Sequence, residues 1–318
     1  MNNAPVIAAP VNTAPVIAAP VNPPTAAPVV PNPEVTISGF VFSRDDLSSL
    51  QGALVRANLA NPLNDAQGPF TLFAPNNAAF APIPEQFLQI LFIQDDFIFH
   101  LRNLLLFHIL AFAKFSAAEL ESLAGDSLTT ANGENQLVAF TPLTFGGVPV
   151  IEPDNAATNG VVHIINDVLA PSWVFSSITT RVDSATGDLT ILSQLLILAG
   201  FDLSAIGNAF TLLAPTNAAF NALPTGALDF LVDPANLLEL QTILVYHIII
   251  GVFVVDELAD GLQLPSALES NTTVLVSVSG STISFNQALL GDSDILAFNG
   301  VVQKIGALLS PNDSPTGP

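Results

Sequence analysis

The segment Phe70-Thr-Leu-Phe-Ala-Pro-Asn-Asn-Ala-Ala-Phe80 returns 140 residues later as Phe210-Thr-Leu-Leu-Ala-Pro-Thr-Asn-Ala-Ala-Phe220, identical at nine of eleven positions. Asn159-Gly-Val-Val-His-Ile-Ile-Asn-Asp-Val-Leu-Ala-Pro171 returns at the same offset, as Asn299-Gly-Val-Val-Gln-Lys-Ile-Gly-Ala-Leu-Leu-Ser-Pro311. Between them, Leu106-Phe107-His108 returns as Val245-Tyr246-His247. Three matches in one order, at offsets of 140, 139 and 140 residues, make the chain a tandem duplication. The period far exceeds the ~20–50 residues of a solenoid unit, so each copy is expected to be a domain with its own core. The divisions expected are 34–173 and 174–314, with a break near Pro171-Ser172 and a short tail at 315–318.

Residues 1–33 stand apart. Ala4-Pro-Val-Ile-Ala-Ala-Pro-Val-Asn12 recurs as Ala14 to Asn22, and prolines continue at 23, 24, 28, 31 and 33. Proline at this density blocks helix and ladder pairing and favours an extended polyproline conformation. A spacer is expected, with a partner-docking strip as the alternative. The segment has no basic n-region and no Pro-free apolar stretch, so no signal peptide is expected in it.

Within each copy two periodicities alternate. Asp46 to Leu59 and Leu189 to Leu198 carry helical spacing. Phe70 to Phe73 alternates and stops at Pro75, a strand running into a turn. Asn76 and Thr216 are N-cap types opening short Ala-rich helices. Gln86 to Leu110 reads as a long helical stretch broken at Asp95-Asp96. Leu240 to Val255 reads as a buried helix running into a strand, too short and too polar to span a membrane. Thr272 to Phe285 places two β-branched runs around Ser279-Gly280-Ser281, a hairpin, and Val161 to Val168 and Val301 to Leu308 read as closing strands. The class expected is α+β, helices packed on a mostly antiparallel sheet system.

Charge narrows the function. Six Lys+Arg against 27 Asp+Glu leave a net charge of −21. So few cations cannot form the basic stripe that displaces counterions from phosphates, which excludes nucleic acid, or a charge-based hold on an anionic membrane. Charged residues are only 10% of the chain, against ~25% in an ordinary soluble domain. The exterior must therefore be neutral polar and partly apolar, which suits a protein packed against neighbours. With no cysteine, disulfides, thiolate metal sites and cysteine nucleophiles are absent.

The repeated segments resemble the two signatures of the fasciclin domain: residues 71–80 and 211–220 the first, 159–169 and 299–309 the second. Asn77 and Asn217 stand where Asp is common. The family's central Tyr-His pair is matched by Tyr246-His247 and, with Phe for Tyr, by Phe107-His108. The resemblance covers about residues 34–314. It implies two tandem α+β domains, each a β-sheet wedge or sandwich with packed helices, in a non-enzymatic adhesion or scaffold protein. It also implies an extracellular or cell-surface location, other proteins or matrix components as partners, and no cofactor. In animal members, integrin contact is attributed to the Tyr-His region and to acidic motifs before the second signature. Their counterparts are Glu152-Pro-Asp154-Asn155-Ala156 and Asp294-Ile295-Leu296-Ala297. The partner-contact set so implied is Phe107, His108, Tyr246, His247, Glu152, Asp154, Asp294 and Ile295. Some soluble algal members carry carotenoids, which makes an apolar small molecule an alternative ligand; an accessory subunit of a larger assembly is another alternative.

The residues themselves offer competing readings. His108 and His247 sit in apolar surroundings and suit core rings tying backbone together, since a buried polar ring must be hydrogen-bonded. His163 and its counterpart Gln303 read as outward polar positions on a strand. Gly125-Asp-Ser127-Leu spells an esterase tetrapeptide, but no histidine follows an Asp at the three-residue spacing that chemistry uses. Asp96 and His100 are an i,i+4 pair without a further ligand cluster near in sequence. Asp292-Ser293-Asp294 lacks the glycine and distal Glu of a calcium loop. No phosphate-binding glycine loop occurs. Asn271-Thr-Thr is a glycosylation sequon, and Asn312-Asp-Ser a weaker one before Pro315.

Overall fold

The computed structural model describes residues 35–64, 68–183, 187–203, 209–268 and 272–313. The Pro-rich arm, the sequon residue Asn271 and the tail 315–318 lie outside the described residues.

The first repeat opens with Thr36, whose hydroxyl accepts from the Gly39 N–H and starts helix α1 (Ile37–Phe42). Helix α2 (Ser48–Arg56) follows, then strand β1 (Phe70–Pro75) and α3 (Asn77–Phe80), capped by the Asn76 side chain. Helices α4 (Glu85–Ile93) and α5 (Ile98–Leu106) lead to β2 (Ile109–Ala111) and α6 (Ala117–Ser122). Five strands finish the repeat: β3 (Ser127–Thr129), β4 (Asn135–Ala139), β5 (Thr144–Phe145), β6 (Val148–Ala157) and β7 (Gly160–Ile165). Their spatial order is β2-β1-β7-β6-β5-β4-β3. β1 and β7, the two signature strands, run parallel, and the other pairs are antiparallel.

The second repeat repeats this plan. Helices α7 (Ile178–Asp183) and α8 (Thr190–Leu198) precede β8 (Phe210–Pro215), and the Thr216 side chain caps α9 (Asn217–Asn221). Then come α10 (Ala227–Val232), α11 (Leu237–Tyr246), β9 (Ile248–Ile250), β10 (Gln263–Pro265), β11 (Thr273–Ser279) and β12 (Thr282–Phe285). Last are β13 (Ala288–Leu289), β14 (Ile295–Ala297) and β15 (Gly300–Ile305). The strands form two sheets, β14-β15-β8-β9 and β10-β11-β12-β13. Isolated bridges Ile249↔Ser266 and Leu290↔Ile305 join them. The stretch that is one strand, β6, in the first repeat is broken into β13 and β14 here; β6 itself shifts register on either side of Glu152.

Each repeat holds two apolar cores. In the first, Leu50, Leu54 and Leu101 gather under the helices, while Phe73, Phe107 and Phe145 fill the sheet wedge. The Phe73 and Phe145 rings stack at 3.9 Å. In the second, Leu192, Leu196 and Phe210 lie on the helical side, and Tyr246, Val276 and Phe285 in the wedge. A fifth cluster belongs to both repeats: Phe97, Leu104 and Trp173 meet Val252, Leu296 and Val301. The helical turn Ser172–Phe175 between the repeats delivers Trp173, whose indole N–H donates to Asn103 Oδ1 of α5 at 2.8 Å.

Several expectations are corrected. β1 runs through Pro75 and does not alternate; all but its first residue are buried, because helices and the wedge core cover its two faces. The Gln86 to Leu110 stretch does break where expected, at Asp95–Phe97, but its end is strand β2 rather than helix. The closing strands end at Ile165 and Ile305, short of Val168 and Leu308. His163 and Gln303 are fully buried rather than outward.

Candidate functional site

The residues the two copies share converge on the parallel strand pair and its margins. His108 closes α5 and points into the core. Its Nδ1–H donates to the Leu104 carbonyl at 2.8 Å, and its Nε2 accepts from the Leu169 N–H at 2.9 Å. His247 does the same with the Ile243 carbonyl and the Leu309 N–H, at 2.7 and 3.0 Å. Each ring thus staples a helix end to the chain leaving the closing strand. Burial lowers both rings to a pKa of about 4, so both are neutral at pH 7. Phe107 and Tyr246 lie beside them in the wedge, below the surface. The Tyr246 hydroxyl donates to the Thr273 carbonyl at 3.0 Å and accepts from Asn286 at 2.7 Å. Phe107, His108, Tyr246 and His247, the residues expected at a partner contact, are thus all buried in the wedge.

The acidic motifs form a second staple. Asp154 and Asp294 hold left-handed backbone, φ 62° and 54°. The Asp154 N–H donates to His163 Nδ1, and the ring's Nε2–H donates to the Phe115 carbonyl at 2.8 Å. In the second repeat the Asp294 N–H donates to Gln303 Oε1, whose amide nitrogen donates to the Phe253 carbonyl and to the Asp294 carboxylate. The two carboxylates also accept the Ala117 and Val255 N–H groups. Imidazole and carboxamide replace one another because each offers one donor and one acceptor at similar reach. Of the remaining sequence candidates, Glu152 is partly exposed and bridges Arg44 at 2.6 Å, and Ile295 is half-buried in β14.

The signatures contain staples that sequence reasoning missed. Asn159 and Asn299 accept the N–H groups of Ile37 and Ile178, fastening the first helix of each repeat to the turn before the closing strand. Asn77 and Asn217 accept from Ser49 and Ile191 and donate to the Asp45 and Gly187 carbonyls. An Asp there could not donate, so the amide adds a bond. Their recurrence at one spacing was the signal that could have found them. Gly160 and Gly300 are fixed by space: a Cβ would lie 2.1 and 1.9 Å from the Phe70 and Phe210 carbonyl oxygens.

Other candidates are dispersed. Ser127 lies exposed on β3, while all four histidine rings are buried among other groups. His100 does not turn toward Asp96; its Nε2 faces the Ala297 and Gly300 carbonyls of the other repeat. Asp292 pairs with Lys304, and Asp294 is turned into its staple. Among the described residues no group of three or more such side chains is placed to hold a metal, and no helix is long and apolar enough to cross a membrane. An apolar cavity of about 400 Å³ opens beside the junction, walled by Phe80, Leu88, Leu91, Phe92, Val168 and Phe175.

Two α+β repeats are each closed by a parallel pair of signature strands and stapled by a buried histidine and a kinked acidic motif. The Fasciclin domain model matches the chain twice, at residues 45–171 and 187–311, and the chain belongs to that family. The rabbit (Oryctolagus cuniculus) transforming growth factor-beta-induced protein ig-h3 is 31% identical over 82% of this chain and 37% of its own length. Human periostin is 27% identical over 79% of the chain and 28% of its length. The Synechocystis protein sll1483 is 30% identical over 55% of this chain and 96% of its own length. The chain thus spans little more than a third of the rabbit relative. The fasciclin domain pair of the insect cell adhesion molecule Fasciclin I aligns with 85% of the chain at 19% identity and a TM-score of 0.41.

Proposed function

We propose that this chain is a non-catalytic adhesion or scaffold protein, acting at a cell surface or in a matrix, that holds other proteins through the outer faces of its two fasciclin domains. The observation that carries the reading is the direction of the shared polar groups. His108, His247, Asp154, Asp294, Asn159 and Asn299 are all engaged with backbone inside the fold. What is left for partners is a surface poor in charge and dotted with apolar side chains, among them Phe230, Leu238 and Ile197 on the helices of the second repeat. Such groups anchor protein contacts when desolvated. The test coats beads with purified protein and measures retention on cells and on matrix preparations. Wild type is retained, and the pair Phe230→Ser and Leu238→Ser lowers retention without changing the melting temperature. Retention no greater than that of albumin-coated beads on every surface overturns the reading.

The cavity supports a second reading, carriage of an apolar small molecule. Its volume suits a ligand of drug-like size, and two of its wall residues, Leu91 and Leu104, belong to the same apolar cluster as Trp173, the single tryptophan of the chain. A polyene or acyl probe entering it quenches Trp173 fluorescence saturably, and Leu91→Phe, which narrows the space without adding a second indole, abolishes that; quenching unaffected by the substitution excludes this site.

A further inference from the structure

His100 is the residue of the junction that its own repeat does not need. Aligning Phe107-His108 with Tyr246-His247 places Glu239, an exposed residue, at the equivalent position of α11. The second repeat therefore forms the same helix with a carboxylate there. In the first repeat the imidazole is fully buried and reaches across to the second-signature turn of the other repeat. Its Nε2 lies 3.0 Å from the Ala297 carbonyl and 3.1 Å from the Gly300 carbonyl. Two acceptors at one nitrogen require the hydrogen on Nε2. The ring meets Trp173 edge-on at 5.0 Å and Phe97 at 4.9 Å, and its Nδ1 is buried with no hydrogen-bond partner among the described residues.

We propose that the junction between the two repeats is an acid-sensitive latch, held shut by neutral His100 and released when Nδ1 takes a proton. The neutral ring spends its one donor on the two carbonyls and presents only a lone pair to the aromatic side. The protonated ring presents a second N–H and a full charge to a space without an acceptor, which a buried site tolerates poorly. The charged groups on the surrounding elements do not compensate. Asp95 pairs with Arg56, and Lys304 on β15 pairs with Asp188 and Asp292. Arg181 on α7 donates to the Leu296 carbonyl, and Asp294 is bound to Gln303. Arg102, on α5 itself, is exposed and carries the same sign as the protonated ring. Asp96, before α5, faces Glu257 across the junction; burial, then Asp96, Asp294 and Asp256, raise the Glu257 pKa. Protonating Glu257 relieves that repulsion and so opposes opening, which makes His100 the group that must be isolated. Burial lowers the His100 pKa to about 4, in keeping with a closed state that excludes the proton.

The sign follows. An opened junction exposes an ordinary imidazole that binds a proton below pH ~6.5. The closed one refuses it until near pH 4. The open fraction therefore rises about tenfold per pH unit as pH falls through that window. The experiment exploits a chain without cysteine. Spin labels at Ser122→Cys and Ser281→Cys report the distance between repeats, and amide exchange reports each repeat's own core. Wild type is expected to show one narrow distance at pH 7 that broadens reversibly toward pH 4 while both cores stay protected. His100→Gln, which keeps a donor but does not titrate, stays narrow. The NMR titration of the His100 ring in the unlabelled protein, with a midpoint matching the broadening, decides the matter if the glutamine variant is already open at pH 7. A wild-type distance unchanged to pH 4, broadening of a closed His100→Gln at the same pH, a ring midpoint that does not match, or loss of core protection before the distance changes each overturns the latch.

Discussion

At the scale of single residues, the buried rings make stability depend on pH. His108 and His247 have folded pKa values of about 4, below the ~6.5 of an exposed imidazole. As pH falls, the unfolded chain takes up protons first, so the stability these rings contribute is full above pH ~6.5 and declines toward pH 4. The loss reaches ~3 kcal/mol per ring, and urea titrations at pH 7 and pH 4 are expected to show the midpoint falling accordingly. His247→Ala strands the Ile243 carbonyl and the Leu309 N–H, and is expected to cost ~1–3 kcal/mol in the same assay. An unchanged midpoint with lost adhesion assigns the residue to partner contact instead. The role of these rings was legible because a histidine recurs in apolar surroundings in both copies. His163 was not, because alternation signals an outward face only where one face of the strand is wet. β7 is covered on both sides, so the exchange of His163 for Gln303 marked an inward staple.

Among the elements, the parallel pair organises each repeat. Gly160 and Gly300 let the closing strands approach β1 and β8 at their first residues, against the carbonyls of Phe70 and Phe210. Gly160→Ala forces backbone apart at that point and is expected to cost at least ~1–3 kcal/mol, as overpacking does; differential scanning calorimetry reads it. Asp294→Ala removes the acceptor for Val255 and Gln303 and places alanine at a left-handed φ. A loss of ~1–3 kcal/mol is expected, from the stranded donors alone. A binding motif would instead lose adhesion at unchanged melting temperature. Helix starts at Asn76 and Thr216 were readable, since a cap is a local device. The break of α4 from α5 was readable at Asp95-Asp96, but the switch to β2 was not, because one apolar run there serves a helix on the outside and a strand within.

At the scale of the whole molecule, the duplication was plain in the sequence, while the junction was not. His100 and its partners lie 197 and 200 residues apart, and no local period reports such a contact. The mismatch of His100 with Glu239 was the available trace. The two halves, 34–173 and 174–318, are each expected to melt cooperatively alone, because each holds two cores of its own. Each is also expected to melt below the intact chain, because separation bares the shared cluster around Phe97, Trp173 and Val301. Failure of both to melt cooperatively would show that the repeats are not independent units. The parallel pairing has a mechanical consequence. Within a repeat, tension enters from the side of β1 and leaves along β7, and parallel strands gripped at opposite ends slide past each other rather than peel. Load falls on the whole six-residue register from Phe70↔Gly160 to Pro75↔Ile165 at once. A chain pulled between two anchors would therefore shed its first helix, held to Asn159 by a side-chain bond, and still resist stretching through the strand pair behind it.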